Sequence, residues 1–322
     1  MPKAARVTGW GKYLPSRVVT NHELEDTLDT TDEWIRTRTG IKERRLAASH
    51  ETTSSMATMA ASQALASAGM EPQDLDLVLV ATCTPEHLLP ASASVVQNAL
   101  GARRAAAFDL NAACSGFVYA LATAYQFIAA GNFENILVVG SEIYSRILNW
   151  KDRSTSILFG DGAGAVLLQA QDGEPGLLSF ILGSDGSRAN LLYVPGPAGA
   201  TEAGRNGFYL SMKGAEVFKF AVKAMCQASR KAVEAANLSL SDIELVIPHQ
   251  ANYRISQAAA HSLGIPLERF FSNVERYGNT SSASIPIALC EALEEGRVRP
   301  GDHLLMVGFG GGLSWGALVW KW

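Results

Sequence analysis

Two stretches of this chain repeat at one fixed distance. DLDLVLV at 74–80 lines up with DIELVIP at 242–248, and ENILVVG at 134–140 with DHLLMVG at 302–308. The differences 242 − 74 and 302 − 134 are both 168. The helix-like runs ahead of the first pair agree in the same register, Ala64 with Ala232 and Ala68 with Ala236. FGDGAGAVLLQ (159–169) resembles FGGGLSWGALVW (309–320) at a shorter offset, as shorter loops would give. Any parallel βαβ sheet yields isolated matches, but not a common register over separate elements. The chain therefore reads as two copies of one α/β unit, 1–172 and 173–322, joined near QDGEPG (171–176), whose Gly and Pro suit a turn.

Short β-branched runs alternate with longer alanine-rich ones from end to end. Strands are expected at 75–81, 105–110, 136–140, 163–169, 245–248, 270–274, 304–308 and 317–320. Helices are expected at 55–68, 115–130, 216–236, 255–263 and 282–295. Near-continuous apolar strands of this length indicate an α/β class with buried sheets. In such a fold chemistry belongs at the carboxyl ends of strands, where the two units meet.

Composition removes several function classes. A formal charge of −4 argues against nucleic acid as the main ligand, because phosphate neutralisation needs a Lys/Arg surplus. No stretch approaches 18 consecutive apolar residues and the first ten lack a signal-peptide core, so neither a membrane span nor secretion is expected. Cys83, Cys114, Cys226 and Cys290 form no CxxC pair and have no His at zinc spacing. Reduced thiols in a cytoplasmic protein follow, with no metal and no disulfide. Neither a phosphate loop nor a GxGxxG fingerprint is present.

One cysteine has a distinctive setting. Cys114 follows the expected strand 105–110 after Asn111-Ala112-Ala113 and opens an apolar helix ending at Gly131. A thiol at a buried helix N-terminus is expected to ionise below its free value of about 8.5. Position alone is equally compatible with a buried structural cysteine, which is how the other three are read. His249 follows ELVIP at a strand end, with Gln250, Asn252 and Arg254 beside it. Asn279 lies in RYGNTSSAS, just before the expected helix 282–295, where turn and N-cap chemistry is a strong competing explanation. A Cys/His/Asn set suits acyl transfer through a thioester, either as hydrolysis with His as base or as carbon–carbon condensation with His and Asn stabilising an enolate. The spacing 249 − 114 = 135 also agrees with papain-like proteases, but the CGSCW signature is absent.

At these residues the sequence resembles the β-ketoacyl-acyl carrier protein synthase III family. The motifs are TDEWIRTRTGIKERR (31–45), AFDLNAACSGFVYAL (107–121), FGDGAGA (159–165), PHQANYRI (248–255), YGNTSSASIP (277–286) and GFGGGLSWG (308–316). They span almost the whole chain in the family's order. The resemblance implies a thiolase-like fold, two duplicated α/β halves packed as a five-layered αβαβα core. It also implies condensation of an acyl-CoA primer with malonyl-acyl carrier protein, initiating type II fatty-acid synthesis. Cys114 is then the acylated nucleophile, His249 and Asn279 the decarboxylation pair, and the backbone N–H groups of Cys114 and Gly311 the oxyanion hole. Trp34 and Arg153 would stack on the adenine of coenzyme A, Arg38 would lie near its phosphates, and Asn252 would contact the pantetheine arm. Leu89, Phe309 and Leu313 would shape the acyl pocket, Leu89 in that of the neighbouring subunit of a homodimer. Arg254, with Lys213, Lys219 and Lys223, would dock the acidic carrier protein. No cofactor is implied, coenzyme A entering only as the thioester substrate.

Where relatives often carry aromatics this chain has Leu89 and Leu313, so primer choice is left open. Ala215, His261 and Ser262 stand where pantetheine-contacting or carrier-docking residues are common in the family. Two alternatives accompany the main reading: a starter-unit enzyme of secondary metabolism, and a non-catalytic carrier-protein-binding subunit.

Overall fold

The computed structural model describes residues 3–196 and 208–322. Nine strands form two sheets. β1 (Ala4–Tyr13), β2 (Leu77–Ala81), β3 (Ala106–Leu110), β4 (Asn135–Ile143) and β5 (Asp161–Gln171) build the first, in the order β1-β5-β4-β2-β3. β6 (Leu177–Ser184), β7 (Leu245–Pro248), β8 (His303–Gly310) and β9 (Ser314–Lys321) build the second, in the order β7-β8-β9-β6. β2 runs parallel to β4, as β7 does to β8, and β4–β5 is antiparallel, as is β8–β9. The two sheets thus repeat one topology, with β2 and β7 starting at 77 and 245, the distance read from the sequence. QDGEPG links β5 to β6.

The expected strand at 270–274 is corrected. Only Phe270 makes a bridge, to Val246, at the position β3 holds in the first sheet. The chain then turns into a short helix, Val274–Tyr277. A single Phe-Phe pair ahead of Ser272 and Asn273 offers too little apolar alternation to extend pairing. β1 and β6 escaped the sequence reading because glycines interrupt β1 and exposed residues alternate in β6.

Strand periodicity sorts the side chains into layers. Leu77 and Leu79 of β2 point inward, with Val138 and Val166, towards Leu245, Met306 and Leu318 of the second sheet. Two helices fill that middle layer, α4 (Gly116–Ala129) with Phe117 and Leu121, and α7 (Ser284–Glu294) with Ile285 and Leu289. Val78 and Val80 point outward onto α2 (Thr53–Ala68), and α3 (Ser92–Leu100) flanks it through Ala93 and Val96. On the far side Val246 and Leu305 pack on α5 (Gly214–Ala235) and α6 (Tyr253–Leu263) through Met225 and Ala259. The order is helix, sheet, helices, sheet, helix: the five-layered αβαβα core. Each fully buried Leu or Phe of the middle layer contributes about 1.5–3 kcal/mol, so this layer fixes how the halves face each other.

A further helix, α1 (Asp32–Thr39), is set by TDEWIRTRTG: Thr31 Oγ1 accepts from Trp34 N, and Gly40 ends it at φ +81°. Its C-terminus is tied to α6, because Asn252 Nδ2 donates to Arg38 O at 3.0 Å.

Candidate active site

Cys114 lies in the turn Ala113–Ser115 between β3 and α4 and is 4% exposed. Ala113 takes φ +48°, a left-handed conformation that non-glycine residues reach only under constraint. The constraint comes from β8, whose end runs against this turn: a Cβ on Gly310 would sit 2.5 Å from Cys114 N. Gly310→Ala is therefore expected to cost about 1–3 kcal/mol by forcing backbone apart. Thermal unfolding should show a melting temperature lower by several degrees; a wild-type value would contradict the close approach.

A cavity of about 510 Å³ leads to the thiol and is lined by Cys114, His249, Asn279 and Phe309 at depth and by Trp34, Arg38, Lys219, Asn252 and Arg254 outward. Residues far apart in sequence thus share one wall. His249 follows β7 and is almost fully buried; burial pushes its imidazole down to about 3, so the ring is neutral. Its Nδ1 lies 2.6 Å from Ser284 Oγ, which also accepts from Gln250 N at 3.4 Å. Among the described hydrogen bonds the serine hydroxyl has no acceptor other than Nδ1, so its hydrogen is assigned to Nδ1 and the ring proton to Nε2. Phe309 holds the ring edge-on, with centroids 5.2 Å apart. Asn279 Oδ1 accepts from Ser281 N at 2.8 Å, so its Nδ2 is the group left to face the cavity. Both side chains consequently offer donors. Neither Nδ1 of His249 nor Oδ1 of Asn279 binds the other residue, unlike the His–Asn pairing that a papain-like base requires.

The thiol departs from expectation. Burial pushes Cys114 up to about 11, against the lowering hydrogen bond from Ser281 at 3.3 Å. Cys83 also departs from its reading as core: it is half-buried, with Sγ 3.1 Å from Tyr144 Oη and 3.3 Å from Glu142 Oε1. Glu142, Ser281 and Ser284 carried no sequence signal, being ordinary residue types; Glu142 and Ser281 meet across the halves, and Ser284 meets a histidine 35 residues away in its own.

Other predicted residues fall into three groups. Trp34 meets Arg38 at 5.0 Å and Arg153 at 4.8 Å from its ring centre. Both guanidiniums lie over the indole, and no aromatic ring fits between Trp34 and either at these distances. Asn252 spends its amide on Arg38 O and on capping α6 through Arg254 N. Arg254, with its guanidinium 5.9 Å from the Phe218 ring, is exposed, as are Lys213, Lys219 and Lys223 along the first turns of α5. Among the expected acyl-pocket residues the place of Leu313 needs correction. Phe309 packs on His249, and Leu313 is fully buried against Leu191 and Val217, lining neither this cavity nor the next. Leu89 is 85% exposed and Leu88 79%. A second cavity of about 510 Å³ lies across the Cys114 turn, lined by Ala113, Gly311, Cys83, Tyr144, Leu192 and Leu210. Among the described residues no cluster of three or more His, Cys, Asp or Glu could hold a metal ion. Among the described residues, too, no helix is long and apolar enough to cross a membrane.

A duplicated thiolase-type fold with a thiol, an imidazole and a carboxamide converging from opposite halves defines the class of acyl-thioester condensing enzymes. Residues 108–186 match the family 3-oxoacyl-(acyl-carrier-protein) synthase III, and residues 233–322 match its C-terminal region. The beta-ketoacyl-(acyl-carrier-protein) synthase III of Symbiobacterium thermophilum is 51% identical over 98% of this chain and 97% of its own. The crystal structure of the Aquifex aeolicus 3-oxoacyl-(acyl-carrier-protein) synthase III superposes with TM-score 0.94 at 47% identity, covering 99% and 100% of the two chains. The priming β-ketosynthase of the R1128 polyketide pathway superposes with TM-score 0.94 at 39% identity over 99% and 97%. The chain belongs to the β-ketoacyl-acyl carrier protein synthase III family.

Proposed function

We propose that this protein condenses an acyl-CoA primer with malonyl-acyl carrier protein, releasing carbon dioxide and opening type II fatty-acid synthesis, with Cys114 as the acylated nucleophile. The observation that carries the mechanism is that Nδ1 of His249 and Oδ1 of Asn279 are engaged by Ser284 and Ser281, which leaves Nε2 and Nδ2 as donors to the cavity that ends at the thiol. A hydrolase needs a base there; an enolate needs donors.

In the first half-reaction the Cys114 sulfur attacks the primer thioester, the oxyanion taking the N–H groups of Cys114 and Gly311, and coenzyme A leaves. In the second, malonyl-carrier protein enters along the same cavity. As its carboxylate departs as carbon dioxide, the thioester oxygen gains charge, and His249 and Asn279 donate to it. The carbanion attacks the acyl-cysteine, giving a 3-oxoacyl-carrier protein. A donor fixed in a dry site is worth about 10²–10³ in rate. No prosthetic group takes part, coenzyme A being only the carrier of the primer.

Trp34, Arg38 and Arg153 are the adenine and phosphate contacts, with Arg153 swinging off the indole as adenine arrives. Trp34→Ala is expected to raise KM for acyl-CoA about tenfold, the loss of about 1.4 kcal/mol of stacking, while kcat changes less than twofold. Steady-state kinetics with varied primer check this, and an unchanged KM contradicts it. Arg254, Lys213, Lys219 and Lys223 meet the acidic carrier protein. The second cavity takes the acyl chain, and a homodimer closes it: β3 is an open edge with Phe108 exposed, near a loop bearing exposed Leu88 and Leu89. The two halves, 1–172 and 173–322, contribute Cys114 and the His249/Asn279 pair respectively.

Likeness to the R1128 priming enzyme favours a second reading, a starter-unit enzyme of secondary metabolism, which a panel of acyl-CoA primers separates. The primary test is stoichiometry. Purified protein given acyl-CoA and malonyl-carrier protein should release coenzyme A and carbon dioxide in equal amounts; coenzyme A released without carbon dioxide contradicts condensation.

A further inference from the structure

Glu142, near the end of β4, is a carboxylate with no solvent exposure. It has no ion-pair partner among the described residues. Donors from both halves hold it: Thr84 Oγ1 at 2.6 Å, Ser282 Oγ at 2.8 Å, Cys83 N at 3.2 Å and Thr82 Oγ1 at 3.3 Å. A buried anion without a cation is expensive, and these donors offset the cost only in part. Burial accordingly raises the carboxyl's proton affinity.

Ser281 connects this carboxylate to the thiol. Its Oγ lies 3.1 Å from Glu142 Oε1 and 3.3 Å from Cys114 Sγ. Its backbone is held at φ +50°, one of three left-handed non-glycine residues beside the site, with Ala113 and Leu313. Strain of this kind persists where surrounding structure over-determines it, and it collects at functional sites. With Nδ1 engaged by Ser284 and the ring proton assigned to Nε2, His249 offers the thiol a donor and not a base.

We propose that Ser281 and Glu142 form a proton relay for Cys114: the thiol proton passes to Ser281 Oγ as the serine hydroxyl proton passes to Glu142 Oε1. The products are a thiolate, an intact serine hydroxyl and a neutral carboxyl. Charge balance favours this route, since the buried cluster carries one negative charge before and after. Ionisation to solvent would place two anions there. The proposal rests on the reading of Cys114 as the acylated nucleophile. The thiolate then forms a carbon–sulfur bond to the primer carbonyl, and the bond to coenzyme A breaks. Coenzyme A departs as a thiolate and takes its proton from water. The proton stays on Glu142 until condensation breaks the bond to Cys114, whose thiolate recovers it through Ser281. Ser281 touches the reacting sulfur; Glu142 acts only through Ser281. The other titratable groups facing the pair are Cys83 and Tyr144, both kept protonated by burial, and His249, kept neutral.

The test is the pH profile of Cys114 acylation by acyl-CoA, followed by intact mass, in the wild type, Ser281→Ala and Glu142→Gln. Alanine can hold the backbone at position 281, since Ala113 holds φ +48° in this same chain. A relay leaves total protonation unchanged, so the wild-type rate should vary little between pH 6 and 9. Each variant must lose its thiol proton to solution, so its rate should be at least tenfold lower at pH 7 and climb about tenfold per unit. A merely structural buried anion predicts the reverse for Glu142→Gln, a faster reaction, because a like charge is removed. A flat profile in Ser281→Ala, or faster acylation in Glu142→Gln, overturns the relay while leaving the nucleophile in place. If Glu142→Gln does not fold, the slope of Ser281→Ala decides alone. A wild type that takes up no acyl mass at Cys114 overturns the nucleophile and the relay together.

Discussion

Cys114→Ala is expected to take up no acyl group from acyl-CoA, a loss on the order of 10³-fold or more in turnover. The sulfur lies at the base of the cavity lined by His249 and Asn279, on a backbone pinned by the close passage of Gly310. Its side chain is small and 4% exposed, so removing it leaves at most a minor void and the variant should melt near the wild-type temperature. Cys83 supplies no substitute. It belongs to the second cavity, and burial with Glu142 beside it raises its thiol well above the usual range. Intact-mass analysis after incubation with primer reads the result directly. An acyl increment on the alanine variant equal to the wild type's would place the nucleophile elsewhere.

His249→Ala should separate the two half-reactions. Primer acylation proceeds near the wild-type rate, because the thiol, its turn and the Ser281 contact are untouched. Condensation falls by about 10²–10³, the worth of one preorganised donor to a developing oxyanion. His249→Gln, which keeps a donor nitrogen, should recover part of that loss. The pH dependence has a definite sign. The imidazole is held down to about 3, so the donor is the neutral ring and no titration at the usual 6.5 intervenes. Decarboxylation should therefore be level from pH 5.5 to 8 when followed by carbon dioxide release. An imidazolium donor would instead lose activity as pH rises through 6.5.

Much of this arrangement was legible in the chain, for a physical reason. Buried parallel strands must be apolar on both faces, so LVLV at 77–80 and LVIP at 245–248 announce themselves and carry the duplication. Cys114 and His249 stand out because polar residues directly after such strands have few structural uses. Contacts between halves were not legible. Ser281 lies 139 residues from Glu142, in the other half, and even within one half Ser284 lies 35 from the histidine it orients. A serine or a glutamate in a helical or turn context has many bland explanations. Leu313 looked like a pocket residue from its place after GFGGG, yet φ +45° turns its side chain into the core against Leu191 and Val217. The ionisation of Cys114 was misjudged for a related reason. A helix N-terminus is visible in sequence, whereas complete desolvation and a neighbouring carboxylate appear only once the layers are assembled.

The central claim is that one acyl-cysteine, Cys114, links both half-reactions. Peptide-level mass analysis of the wild type, first with acyl-CoA alone and then with malonyl-carrier protein, tests it most directly. The acyl mass should appear on the peptide containing Cys114 and disappear on the second addition as carbon dioxide and a 3-oxoacyl-carrier protein form in matching amounts. Acyl mass on any other residue, or loss of the label to free acid without carbon dioxide, would contradict it.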